Sequence, residues 1–173
     1  MKSFLGRMLI AAILSSTATF ANAQESTNQV AVKTDWSVFA EESPKECWGV
    51  SSPKETVNTR DGAPVSVRRG DILLFVTFRP GSAGGEVSFT GGYPFAPGST
   101  VKVDIGGTGF DLISDGEWAW TTDAGQDASI LAALKGGETA VLSAQSGKGT
   151  KTQDTFSLRG FTAAMDEAAS RCK

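Results

Sequence analysis

From Asp35 to Leu158 the chain is cut into short β-type runs by turn residues, and this punctuation constrains the fold more than any other feature. Trp36-Ser-Val-Phe-Ala40 comes first, and Glu46-Cys-Trp-Gly-Val-Ser51 follows a break at Pro44. Thr56-Val-Asn-Thr59 and Pro64-Val-Ser-Val67 flank Arg60-Asp-Gly62, where Asp-Gly marks a hairpin because both residues tolerate positive φ. Ile72-Leu-Leu-Phe-Val-Thr-Phe78 is apolar on both alternating faces, which predicts a central strand covered on both sides; Pro80-Gly81 ends it. Glu86-Val-Ser-Phe-Thr90, Thr100-Val-Lys-Val-Asp-Ile105 and Gly109-Phe-Asp-Leu-Ile113 continue the series, the last two joined at Gly106-Gly107. Glu117-Trp-Ala-Trp120 follows the Asp115-Gly116 turn and puts Trp118 and Trp120 on one face. Val141-Leu-Ser-Ala-Gln145 and Asp154-Thr-Phe-Ser-Leu158 complete the strands. Many short runs with regular turn signals predict an all-β fold, a mainly antiparallel β-sandwich or barrel-like domain. The Gly-rich tract at 81–92 reads as a loop within it.

Two helices interrupt this pattern. Asp127 is placed to cap a short internal helix over 128–135, with Gly136 at the left-handed position that closes it. A C-terminal helix spans 161–172, where Phe161, Ala164, Met165, Ala168 and Cys172 follow the spacing of one buried face.

Residues 1–23 read as a secretory signal. Lys2 and Arg7 form the positive end, Met8-Leu-Ile-Ala-Ala-Ile-Leu14 the apolar stretch, and Ala21-Asn-Ala23 the small residues at the cleavage point. The apolar run stops at Ser15, well short of the ~20 residues a spanning helix needs, so the exported protein is not expected to cross a membrane. Residues 24–34 are polar and without periodicity, a flexible leader; 35–173 form a single domain. Loss of Lys2 and Arg7 moves the formal charge from −3 to −5, which disfavours nucleic acid as a partner.

Export gives the two cysteines their meaning. Cys47 and Cys172 are the only pair, in a compartment where disulfides persist. A bridge would close a loop of roughly 125 residues, which the chain-entropy model values at about 4–5 kcal/mol. Two buried free thiols, or a thiol nucleophile without a His partner, are the alternatives.

The chemistry that the composition permits is narrow. The absence of His removes Ser-His-Asp and Cys-His catalysis and every His-containing metal site. Ser146-Gly-Lys-Gly-Thr150 lacks the glycine spacing of a phosphate loop and reads as a turn between strands. Gly106-Gly-Thr-Gly109 lacks the spacing of a dinucleotide site, and Asp111, Asp115 and Glu117 do not match a calcium loop. Arg68, Arg69 and Arg79 read as a solvated strand edge, with a contact patch as the second reading. Trp36, Trp48, Trp118 and Trp120 read as core and rim packing ahead of a sugar-stacking platform. Thr90-Gly-Gly-Tyr-Pro-Phe-Ala-Pro-Gly98 is aromatic and Pro-rich, the best local candidate for an exposed binding loop.

Trp36-Ser-Val, Arg69-Gly-Asp-Ile-Leu-Leu-Phe-Val76 and Phe156-Ser-Leu-Arg-Gly-Phe-Thr-Ala-Ala164 resemble the invasion-associated locus B (IalB) family, over about Trp36 to Cys172. The terminal segment is the most specific part. The resemblance implies an exported, β-rich envelope domain with a terminal helix, named for a role in host-cell invasion and without established catalytic residues. Many relatives carry further cysteines, where this chain has only Cys47 and Cys172.

These readings converge on a non-enzymatic binding protein of the bacterial envelope, periplasmic or secreted. The expected partner is another envelope protein or, by the resemblance, a host surface; no cofactor or metal is expected. Arg79, Tyr93, Phe95, Trp118 and Trp120 form the candidate interaction surface. Two other readings stand beside this one. One is a structural accessory subunit of a larger envelope or membrane complex. The other is a carboxylate-dependent hydrolase, which needs only two acids at a suitable separation.

Overall fold

Residues 28–82 and 84–173 are described by the structure, a computed structural model. The secretory signal and the first part of the leader lie outside the described residues. Twelve strands and two helices follow in order: β1 (Gln29–Lys33), β2 (Trp36–Glu42), β3 (Lys45–Ser51), β4 (Glu55–Arg60), β5 (Ala63–Pro64), β6 (Leu73–Phe78), β7 (Glu86–Thr90), β8 (Thr100–Ile105), β9 (Thr108–Asp115), β10 (Trp118–Trp120), α1 (Ala124–Gly136), β11 (Thr139–Gln145), β12 (Lys151–Ser157) and α2 (Phe161–Arg171).

The strands form one sheet in the order β1-β2-β3-β6-β7-β10-β9-β8-β11-β12-β4-β5. Every pairing within it is antiparallel among the described residues. Among the described residues its two edges, β1 and β5, do not pair, so the sheet they form is not a closed barrel. It doubles over instead. Phe89 of β7 meets Phe156 of β12 edge-on at 6.1 Å. The Trp36 indole of β2 donates to the Ser157 carbonyl of β12 at 3.0 Å. Alternation sets the inner face: Val101, Val103 and Ile105 of β8 are buried while Thr100, Lys102 and Asp104 are exposed. Both halves contribute to a single apolar core.

The all-β architecture with an internal and a C-terminal helix is as the sequence predicts, with five local differences. The run expected as a strand at Pro64-Val-Ser-Val67 is reduced to Pro64 of the two-residue β5, which pairs with β4 at Ala63 and Pro64, and Pro64 has no amide hydrogen to offer a further strand. Residues 29–33, expected within a flexible leader, form edge strand β1, where Gln29 to Lys33 pair with β2. Strand β6 buries Leu74 and Val76 but leaves Leu73, Phe75, Thr77 and Phe78 half-buried, so it is not covered on both sides. Helix α1 begins a turn earlier than expected. Asp123 is its N-cap, accepting from the amides of Gly125 and Gln126, and Asp127 lies inside the helix. Asp127 is buried, accepting from the Val87 amide at 2.8 Å and the Thr121 hydroxyl at 2.7 Å; it ties α1 to β7. Gly136 is helical, and the residue after it, Gly137, is extended rather than left-handed.

Helix α2 lies on the inner face of β1, β2, β3 and β6. Its buried residues, Phe161, Ala164, Met165 and Ala168, are those that the periodicity predicts. Phe161 packs edge-on against Trp36 at 4.9 Å, and Met165 fills the space that the missing side chain of Gly49 leaves on β3. Gly160 starts the helix at φ +87°, where a Cβ would overlap the Lys33 carbonyl; glycine alone fits here. Cys172 ends the helix and is bonded to Cys47 of β3, with Cα atoms 5.7 Å apart. The disulfide therefore clasps the last helix to the third strand.

Candidate functional site

Strand register builds an aromatic surface on the outer face of the sheet. Phe75 of β6 stands opposite Ser88 of β7, Ser88 opposite Trp120 of β10, and Trp120 opposite Ile113 of β9. Towards the other edge, Trp48 of β3 stands opposite Thr77 of β6 and Phe39 of β2 opposite Trp48. Outward residues in register become neighbours, so side chains far apart in sequence gather in adjacent rows on one face. Phe39 and Trp48 stack at 5.5 Å with planes 7° apart. Phe75 lies 5.6 Å from Trp118, which stacks on Trp120 at 6.4 Å.

The exposure of this face sets it apart from the core. Ala119 is fully buried, whereas Trp118 and Trp120 on either side are 39% and 43% exposed and Ile113 is 55% exposed. Trp48, Phe75 and Trp118 line a shallow groove of about 250 Å³, with Glu46 and Arg79 at one end. Arg79 donates to Glu46 at 2.5 Å and also pairs with Glu86. These two carboxylates hold the Arg79 guanidinium proton above its ordinary range. The groove thus has an apolar floor and a rim on which one cation is matched by two acids.

Of the five residues expected at an interaction surface, Arg79, Trp118 and Trp120 fall on this face. Tyr93 and Phe95 do not. Phe95 is only 6% exposed and packs on Phe89 at 6.1 Å, and Tyr93 sits over it edge-on at 5.2 Å. The Tyr93 hydroxyl shares a 2.6 Å hydrogen bond with Thr152, and burial pushes its pKa up. The Phe95 ring is therefore packed into the core and Tyr93 half-buried against it, while Pro94, Pro97 and Gly98 stay exposed. Two amides of this stretch bond inward too, Phe95 to the Gly116 carbonyl and Ala96 to that of Gln145.

Arg69 differs from the expected strand edge in the same way. Its side chain is buried and grips Asp154 of β12 through two hydrogen bonds of 2.7 and 2.6 Å. It also donates to the Gly91 carbonyl and lies 5.0 Å from the Tyr93 ring. Burial pushes the Asp154 carboxyl up against the opposing pull of Arg69. Trp36 is entirely core and Trp48 half-buried; only the later two tryptophans are exposed.

Sequence reasoning missed Ile113 and Phe75 as surface residues. Ile113 follows the buried Leu112 in an alternating strand, and that parity is the signal that points it outward. Phe75 sits in a wholly apolar run, where no alternation distinguishes its face.

Acidic residues are mostly engaged in structure. Asp111 bonds Lys102 at 3.0 Å, which holds its carboxyl low. Asp127 and Asp154, the two buried acids, serve the contacts described above. Among the described residues, no group of three or more Cys, Asp or Glu is placed to hold a metal ion, and no helix is long and apolar enough to cross a membrane.

A family model described as "Invasion associated locus B (IalB) protein" matches residues 36–169, most of the chain. The chain belongs to the IalB family. The matched span begins at Trp36, which joins β2, β12 and α2, and ends within α2, so the IalB unit coincides with the doubled sheet and its clasping helix. Among solved structures, the crystal structure of invasion associated protein b from Bartonella henselae resembles it with a TM-score of 0.54 at 16% identity. That match covers 81% of this chain and 95% of the other, and it establishes the shared IalB fold. Curated proteins yield no significant match.

Proposed function

We propose that this IalB-family protein is an exported, non-enzymatic binding protein of the bacterial envelope that holds a protein partner against the outer aromatic face. The partner is another envelope protein or, as the family's name implies, a protein of a host surface. The observation that carries this reading is the exposed pair Trp118 and Trp120, continued by Phe75 and Ile113. Exposed aromatics that share one patch with a charged rim are the composition of protein-interface hot spots. The disulfide supports an oxidising compartment, in agreement with the secretory signal read from the sequence.

The test is affinity capture with the mature protein from its own envelope, in parallel with a Trp118→Ala, Trp120→Ala double variant. Both side chains lie on the surface, so the variant should keep its unfolding midpoint while losing the captured partner. Capture that survives both substitutions would remove the aromatic face from the proposal. Isolation in a complex of fixed stoichiometry would instead favour an accessory-subunit role.

A further inference from the structure

A second cleft shares no residue with the groove of the aromatic face. It has a volume of about 570 Å³ and lies between the 67–69 segment, the loop at 93–94 and the 146–150 turn that joins β11 to β12. Four cations line it, Arg60, Arg68, Arg69 and Lys148, and no acidic side chain does. Arg69 is neutralised by Asp154 beneath the floor. Arg60 donates to the Thr150 hydroxyl at 2.6 Å, and neither it nor Arg68 nor Lys148 joins an ion pair among the described residues. Three positive charges thus stand together without counter-charge in a chain whose net charge is −3. A cleft lined by charges of one sign focuses their field and raises the local concentration of counter-ions.

We infer that this cleft binds a phosphate monoester. Three cations from three separate segments match a dianion better than a single carboxylate, and guanidinium groups suit phosphate oxygens through paired N–H donors. Thr150, Thr152 and Tyr93 add hydroxyls along the same wall. Thr152 and Tyr93 already bond each other at 2.6 Å, and that shared bond can turn a donor outward. Val67, Pro94 and the Tyr93 ring supply an apolar wall for the organic part of the ester. The turn itself is closed by its own backbone, with the Ser146 amide bonded to the Thr150 carbonyl at 2.8 Å and that of Gly149 to Ser146 at 2.9 Å. It is a strand-to-strand turn, as the sequence predicts, so recognition rests on side chains and not on a phosphate-cradling loop.

The same headgroup occurs on soluble metabolites and on lipids such as phosphatidic acid. Titration of the ¹⁵N-labelled protein with inorganic phosphate, phenyl phosphate and dihexanoyl phosphatidic acid tests the site and separates the two sources. Saturable shifts are expected at the amides of 67–69 and 147–150. An Arg68→Ala, Lys148→Ala double variant should weaken binding by at least about tenfold, since each removes a charge-assisted contact. Both residues are exposed, so the unfolding midpoint should not change. Tighter binding of the lipid than of phenyl phosphate assigns the site to a lipid headgroup, and equal binding assigns it to a soluble ester. No saturable shift at millimolar phosphate, binding unaltered in the double variant, or benzoate binding as well as phenyl phosphate would each overturn the inference. None of these outcomes bears on the aromatic face.

Discussion

Arg69 and Asp154 form a buried ion pair that ties together separate parts of the doubled sheet. The pair is buried on both sides, and Arg69 also reaches Asn58 at 3.3 Å and the Gly91 carbonyl at 2.9 Å. One side chain therefore joins β12, β4 and the loop after β7. A buried ion pair gains little over an apolar pair of the same shape, but removing one partner strands the other charge. Arg69→Ala should destabilise the protein by about 3–5 kcal/mol in urea unfolding, and Arg69→Met with Asp154→Leu should recover part of that loss. A loss below about 1 kcal/mol, the range of exposed pairs, would show that water reaches the pair. The sequence presents Arg69 as one of three nearby arginines, and nothing local separates it from Arg68. Its partner lies 85 positions away.

Helix α1 shows how one element's boundary is decided by neighbours. The sequence predicts Asp127 as the N-cap from its residue type, a preference that Asp123 one turn earlier satisfies equally. The structure gives the cap to Asp123 and uses Asp127 to bond the β7 amide of Val87. The cap bonds from Gln126 and Gly125 hold the Asp123 carboxyl below its ordinary value of 3.8. A carboxyl lowered in the folded state contributes stability above that value and loses it as pH falls through the lowered one. Asp35, lowered by Lys54, acts in the same direction. Thermal unfolding should therefore become easier as pH drops below about 4, the unfolded carboxyl range. Asp123→Ala should lower the midpoint by a few degrees at neutral pH and flatten this acid dependence. An unchanged acid limb would assign the acid sensitivity to other carboxylates.

At the scale of the whole molecule, stability rests on fastening the terminal helix across the sheet. The disulfide spans 125 positions, Lys33 bonds Glu167 at 3.4 Å, and Lys45 donates to the Lys173 carbonyl at 3.3 Å. The ion pair and the Lys45 hydrogen bond are minor, and the covalent bond restricts the unfolded chain far more. Cys47→Ser with Cys172→Ser should lower unfolding free energy by about 2–5 kcal/mol, measured in urea against the oxidised protein. Since α2 also buries Phe161, Met165 and Ala168, the helix should stay docked in that variant at low urea. A loss near zero would mean that the cross-link adds little restriction to the unfolded chain and that the apolar contacts of α2 suffice to hold the helix in place.

The two cysteines and the strand runs were legible because they depend on information local to the sequence. Two cysteines in an oxidising compartment suggest a disulfide, though only the fold brings their Cα atoms to 5.7 Å, and a strand shows as period-2 alternation between turns. The buried face of α2 was legible for the same reason, from its 3–4 spacing. Tyr93 and Phe95 were not, because an aromatic, Pro-rich stretch has the same composition whether it plugs a core or faces solvent. The sequence by itself determined the class of fold and the buried face of α2, and it singled out Cys47 and Cys172 as the one pair that could bridge. Only the tertiary structure decided that Tyr93 and Phe95 turn inward, that Ile113 and Phe75 join Trp118 and Trp120, and that Arg60, Arg68 and Lys148 share one cleft. Those neighbours meet through strand register and the doubling of the sheet, and long-range pairing is not written in any local pattern.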